Sequence, residues 1–385
     1  MSGRLRRVGA AVALFALSCA VALVLAEVLV RRFAPQPVRV AWEDEWNGIR
    51  VPRPGVRGRH AVPGKFDVRV TINGQRFRAT RDYGPSPAPG VTRLAVLGDS
   101  MTFGWGAEDD ETYPARLQSI LSGVAGERAV EVINAGHPGT CLGEKAAWYV
   151  QGVRPFHPAL VVLTLLGDDV DGDLFWRVFA LDAAGRAEPN PPSRRGAAVT
   201  TARSTRSAFQ ALPGYAFLAQ RSELFALVRT AATRAASRER TTALGQRPAT
   251  PSEMAAFRGE GLALLAAELR WLRERTAEDG ADLAVVLAPF RESVYSDGGW
   301  WADELRSKTS AVAAAAAATC AEVDVPFRDL TPALVERARG TRAPLYHSGI
   351  ETHPTPAGYR AIAEEVAGFL AEHGLPRQRP GPSAP

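Results

Sequence analysis

From Val8 to Ala26 the chain carries no charged side chain, and after Glu27 three more apolar residues, Val28 to Val30, follow. At about 1.5 Å per helical residue, some 20 such residues cross the roughly 30 Å hydrocarbon core of a bilayer, where a helix satisfies its own backbone. The pattern predicts a membrane anchor within residues 1–32. Arg4, Arg6 and Arg7 precede it, and Arg31 and Arg32 follow. That count leans to a single pass through the inner (plasma) membrane with the remainder of the chain on the extracytoplasmic side. Ala20-Val21-Ala22 has the small-x-small form of a cleavage site. Cutting there would leave Leu23 to Val30 as an apolar terminus, so an uncleaved helix is the expectation.

Residues 33–90 are rich in Pro, Gly and Arg, with one alternating run, Asp67-Val68-Arg69-Val70-Thr71-Ile72, leading into Asn73-Gly74. Alternation followed by Asn-Gly predicts a hairpin, hence a small β extension and a Pro-rich linker. Beyond it, short apolar runs alternate with helical patterns, which argues for parallel strands joined by crossover helices. The strands are Arg93 to Leu97, Val130 to Asn134, Leu160 to Leu166, Leu283 to Leu287 and a short one around Val325 to Leu330. Helices are expected over Tyr113 to Ser122, Phe257 to Ala277, Trp301 to Ala321 and Ala357 to Ala371. The fold class is therefore α/β, a doubly wound parallel sheet of five strands. Its chemistry belongs beyond the strands' C-terminal ends, at 98–106, 135–141 and 167–173. This domain spans 91–374 and contains an insertion at 174–256, longer than any simple crossover needs. The insertion reads as loop from Ala183 to Arg206 and as helix from Ser207 to Ala236, placed either as a lid or near the membrane. Residues 375–385 read as a disordered tail.

Composition narrows the function. Of 385 residues 46% are hydrophobic, enough for a substantial core, so disorder throughout is excluded. Cys19, Cys141 and Cys320 are too far apart for a disulfide scaffold or a Cys-rich zinc module, and Cys141 and Cys320 read as buried small hydrophobes. The net charge is +5, but the basic residues are scattered along the chain and no stretch interleaves them with aromatics, which argues against nucleic-acid binding.

The first strand ends in Leu97-Gly98-Asp99-Ser100-Met101-Thr102-Phe103-Gly104. A serine on a glycine-rich turn at a helix start can be a nucleophile whose own N–H helps form an oxyanion hole; alone, it is more often a turn or capping residue. Near the C-terminus, Glu351-Thr352-His353-Pro354 precedes the last helix, so His353 can be carried across the sheet edge to take the proton of Ser100. Of the six histidines, His157 lies at the wrong end of the sheet and His373 in the terminal helix. Trp105, Tyr295, Trp300 and Trp301 follow strand ends and either line a pocket or pack. Asp169, Asp171 and Asp173 alternate like the start of a calcium loop, but Leu174 and Ala180 stand where such a loop needs Gly and Glu, so no metal site is expected.

Gly98-Asp99-Ser100, Asn134-Ala135-Gly136-His137-Pro138-Gly139 and His353-Pro354 together resemble the SGNH (GDSL-type) hydrolase superfamily over roughly 91–373. The segment Ile72-Asn73-Gly74-Gln75-Arg76-Phe77-Arg78 is similar to membrane-anchored bacterial members. The resemblance implies a three-layer α/β/α sandwich without a cofactor, with Ser100 as nucleophile, His353 as base and the Gly139 N–H as a second oxyanion donor. Two positions depart from the pattern. Gly167-Asp168-Asp169 puts Asp168 where the family has an asparagine oxyanion donor. An ionised carboxylate cannot donate, so Asp168 serves only if burial and Asp169 keep it protonated. Three residues before His353 stands Ile350 rather than Asp, leaving Glu351 to orient the imidazole or Ser100 and His353 to act as a dyad. The expected function is a membrane-tethered ester hydrolase, or O-acetyltransferase, acting on an acylated glycan or lipid. The alternative is a catalytically degenerate domain that binds acylated glycans or assists envelope assembly.

Overall fold

The computed structural model describes residues 2–124, 129–195, 212–232, 251–295, 300–349 and 352–377. The first helix, Ser2–Phe33, is exposed along its apolar length. Five short strands follow: β1 (Val38–Arg39), β2 (Glu43–Trp46), β3 (Ile49–Pro52), β4 (Arg57–Val62) and β5 (Phe66–Thr71). Two-residue Asn47-Gly48, both at positive φ, turns β2 back onto β3. The alternating run forms β5, but its partner is β4, upstream. Asn73-Gly74 closes only one bridge, Ile72 to Arg78. The Asn73 side chain causes this: its Oδ1 accepts from Gln75 N and Phe77 N, widening the turn.

The central sheet comprises β6 (Val91–Gly98), β7 (Ala129–Gly136), β8 (Leu160–Leu165), β11 (Asp282–Leu287) and β12 (Phe327–Asp329), all parallel, in the order β12-β11-β8-β6-β7. Between β8 and β11 lies a two-stranded hairpin, β9 (Phe179–Leu181) with β10 (Ala187–Pro189), and β10 falls inside the stretch that reads as loop. Both sheet faces are apolar because both are covered. Ala95, Leu97, Val161, Leu163 and Val285 pack under the helices Leu142–Trp148, Pro251–Glu278 and Trp300–Glu322. Leu94, Val96, Val162 and Val286 pack under Tyr113–Val124, Thr331–Gly340 and Pro356–Glu372. This is the expected three-layer α/β/α sandwich. The order reverses direction between β6 and β8, which opens a crevice at their C-terminal ends.

The N-terminal strands are not a separate body. Ile49, Val51, Phe77 and Tyr83 belong to the same buried cluster as the sheet. Within the insertion, Tyr215–Arg221 and residues 223–232 are helical and lie against the end of the first helix. The rest of the helix expected to Ala236, and the tail from 378, lie outside the described residues.

Candidate active site

Strand β6 delivers Ser100 onto a one-turn helix, Ser100–Phe103. Asp99 caps it, accepting a hydrogen bond from Met101 N at 2.9 Å, and Gly104 ends it in the left-handed conformation. The turn sits so tightly on the strand ends that a Cβ at Gly98 would lie 1.9 Å from Thr102 Oγ1, and one at Gly136 2.3 Å from Phe103 N. Glycine is required at both places because of that approach.

Buried Arg78 fixes the loop that follows. Its guanidinium donates to the carbonyls of Phe103 (3.0 Å), Gly104 (2.6 Å) and Ala107 (2.6 Å) and pairs with Asp109 at 3.1 Å. These four acceptors, with Arg69 O at 3.3 Å as a fifth, hold the exit from the Ser100 turn in one conformation.

His353 arrives from the opposite end of the chain, and its Nε2 lies 2.9 Å from Ser100 Oγ. The segment bearing it is strapped down: His347 N donates to His353 O, and Thr355 N to Leu345 O, each at 2.9 Å. Thr355 then caps the last helix through Gly358 N. The indole of Trp105 stacks on the imidazole, with ring centroids 5.0 Å apart and planes at 20°. Trp105 is held in turn by its carbonyl, which accepts from Tyr359 Oη at 2.9 Å, and by edge contacts with Trp42 and His60. Of the aromatics noted in the sequence, Trp105 therefore touches the site, whereas the Tyr295 hydroxyl accepts from Leu345 N and braces the backbone. The side chains of Trp300 and Trp301 lie outside the described residues, as do Ile350 and Glu351, the expected acid partner.

The loop after β7 is tied to strand β6, which carries Ser100. His137 N donates to Gly98 O at 3.0 Å, and Thr140 Oγ1 donates to His137 O at 2.8 Å. Gly139 lies in this loop at φ +76°, with the Arg50 guanidinium beside it. Arg50 comes from β3 and forms a buried pair with Glu144 while covering the Trp176 ring at 4.1 Å.

Asp168 ends the connection from β8, across the crevice from β6, and is open to solvent. Surrounding protein, then the carboxylates of Asp99 and Asp169, push its pKa up to about 7, with Lys145 opposing. Water reaching the side chain weakens the burial contribution, while the two neighbouring carboxylates push in the same direction. Beneath it, the buried Lys145 ammonium bonds both Asp169 oxygens (2.6 and 2.8 Å) and Thr164 O (3.2 Å). The three alternating carboxylates of the acidic run diverge: Asp169 meets Lys145, Asp171 meets Lys308 at 2.7 Å, and Asp173 accepts from Gly143 N at 2.8 Å.

The sequence did not mark Lys145, Arg78 or Arg50 as part of this neighbourhood. A lone lysine within Glu144-Lys145-Ala146 gives no sign of burial in the sequence. Arg78 stood inside the Ile72–Arg78 resemblance without a role.

A serine hydroxyl hydrogen-bonded to an imidazole at the switch point of a parallel sheet can open an ester through a covalent acyl intermediate. The family model for GDSL-like lipases and acylhydrolases matches residues 96–361, and the chain belongs to that family, whose members are carboxylic ester hydrolases. Solved structures similar to this chain include an acetylxylan esterase of Geobacillus stearothermophilus, in a catalytic mutant form, at 18% identity over 75% of this chain and 97% of that one, with a TM-score of 0.41. A putative lipolytic protein of the G-D-S-L family from Desulfitobacterium hafniense matches at 12% identity over 72% and 99%, TM-score 0.38. TesA matches at 15% over 73% and 99%, TM-score 0.40. No curated protein matches by sequence.

Proposed function

We propose that this chain is a membrane-tethered serine ester hydrolase working through an acyl-enzyme. Ser100 Oγ attacks the ester carbonyl carbon as its proton passes to His353 Nε2. The leaving alcohol takes that proton as the acyl–oxygen bond breaks. Water, activated by the same imidazole, then releases the acid. The backbone N–H groups of Ser100 and Gly139 and the protonated Asp168 carboxyl receive the developing oxyanion. The observation that supports this most directly is the 2.9 Å contact between Ser100 and His353, supplied by residues 253 positions apart.

Anchoring by the first helix would confine the enzyme to esters of the envelope, and acetyl groups on glycans are the substrate class we assign, with lipid esters second. A sugar hydroxyl replacing water in the second step would make the same site an O-acetyltransferase. The substitution at Asp168 raises the opposite reading, a domain that binds acylated glycans without turnover. A fluorophosphonate probe separates the two: labelling of the full-length protein that disappears in Ser100→Ala requires an activated serine. A folded wild-type protein that takes no label would remove the hydrolase.

A further inference from the structure

We infer that residues 212–232 form a second membrane contact, bedded in the lipid interface beside the end of the first helix. This rests on the reading of that helix as an anchor. Glu27 is the single acidic residue of Ser2–Phe33. It stands about 19 residues beyond the start of the apolar run, one hydrocarbon thickness away at about 1.5 Å per residue, hence at the far interface. Its carboxylate accepts from Glu223 N (2.9 Å), Leu224 N (3.0 Å) and Ser222 Oγ (2.7 Å), and from Arg31 Nε at 2.6 Å. The helical residues 223–232 therefore begin on the anchor's own carboxylate, which satisfies two of the amides a helix leaves unpaired at its start. Gln36 N donates to Glu223 at 2.9 Å, and the Arg31 guanidinium donates to Arg221 O. The insertion is thus strapped to the anchor at interface depth.

Its outer side is apolar. Leu212, Phe217, Leu218, Leu227 and Val228 are exposed, Phe217 and Val228 each at 58%. These side chains fall within one short segment, contiguous through Glu27 with a helix that is itself exposed along its apolar length. Arg221 lies in the patch with its guanidinium over the Phe217 ring at 4.7 Å, and Arg31 reaches the Arg221 carbonyl beside it. Apolar side chains rimmed by arginine match an acyl boundary beneath anionic headgroups, where interfacial helices bury about 5–10 Å deep.

The consequence reaches the active site. Helix Tyr215–Arg221 packs against β1 and β4, with the Gln220 amide against Gly58. Strand β4 carries His60, whose ring meets Trp105, and Trp105 stacks on His353. A bedded insertion would fix the angle at which the Ser100 crevice faces the bilayer.

The test uses the full-length protein with the exposed Cys19 replaced, Cys19→Ser, while Cys141 and Cys320 are buried and stay unlabelled. Single cysteines at Leu23→Cys and Val228→Cys carry a bimane fluorophore, and the protein is placed in phosphatidylcholine–phosphatidylglycerol vesicles with or without nitroxide on the lipid chain. Both labels should lose roughly half their emission or more to shallow nitroxide, and Val228 should be shielded from aqueous iodide. A quenched Leu23 with an unquenched, iodide-accessible Val228 overturns the inference and leaves the anchor standing. An unquenched Leu23 removes the anchor itself, and this inference with it, whatever Val228 does. Retained fluorophosphonate labelling certifies that each variant is folded.

Discussion

Replacing Asp168 by Asn tests the proposed role of its carboxyl as an oxyanion donor. With a pKa near 7, about half the molecules hold the Asp168 proton at pH 7 and about one in a hundred at pH 9. Only the protonated form donates, so the wild-type kcat/KM should fall roughly tenfold per pH unit above 7. The floor is set by the loss of one oxyanion donor, about a hundredfold to a thousandfold. The Asn side chain donates at every pH. The two profiles should therefore meet near pH 6 and diverge to roughly a hundredfold in favour of Asp168→Asn at pH 9. The pH at which the two profiles begin to separate reads the Asp168 pKa, and water reaching the side chain would move that point below about pH 6. Initial rates on a short ester, followed by pH-stat titration with Ser100→Ala as the blank, give both curves. Superimposable profiles from pH 6 to 9 would refute the protonated-donor argument.

Trp105→Leu removes the ring face stacked on His353, which under the proposed mechanism becomes an imidazolium; kcat should then fall roughly 2- to 30-fold with KM little changed, and Trp105→Phe should recover part of it. Equal losses in the two variants would reject a positioning role. Lys145→Met strands the buried Asp169 charge and should cost about 3–5 kcal/mol in urea unfolding, most of it returned by adding Asp169→Leu; additive costs would show that the pair is not coupled. Buried Asp173 and Glu268 both hold their protons more tightly than ordinary carboxyls, Asp173 to about 7, through burial first and then neighbouring carboxylates. The fold therefore gains from proton binding fully below about pH 4 and loses that gain as pH rises through 7. Glu268→Gln should shrink the drop in Tm between pH 5 and pH 8, and an unchanged drop would contradict the assignment.

Much of the sheet was readable because its strands are short apolar runs bounded by turns, a consequence of burial on both faces. The run Leu160 to Leu166 reappears as β8, and Arg93 to Leu97 lies within β6. The Ser100 turn was readable because Gly98 marks a place where chain meets chain. What was missed depends on side-chain contacts, local at Asn73 and distant in sequence at Lys145. Two Asn-Gly pairs look alike, yet only Asn47-Gly48 makes the two-residue hairpin turn, because Asn73 spends its side chain on Gln75 and Phe77. Whether Lys145 faces solvent or Asp169 is decided by where the helix Leu142–Trp148 lands on the sheet. The pairing of Ser100 with His353 was legible through spacing and residue type, while the stacking of Trp105 on that histidine depended on the placement of β1 and β4.

The reach of Arg78 into the Ser100 turn bears on where a working fragment can begin. A polypeptide cut to the family-matched span, 96–361, would lose Arg78 and leave the carbonyls of Phe103, Gly104 and Ala107 seeking other donors. It would also lose Ile49, Val51, Phe77 and Tyr83 from the core. A stable fragment is therefore expected to start well upstream of the recognisable signature, because the strands that follow the first helix share the core of the sheet and are not a stalk.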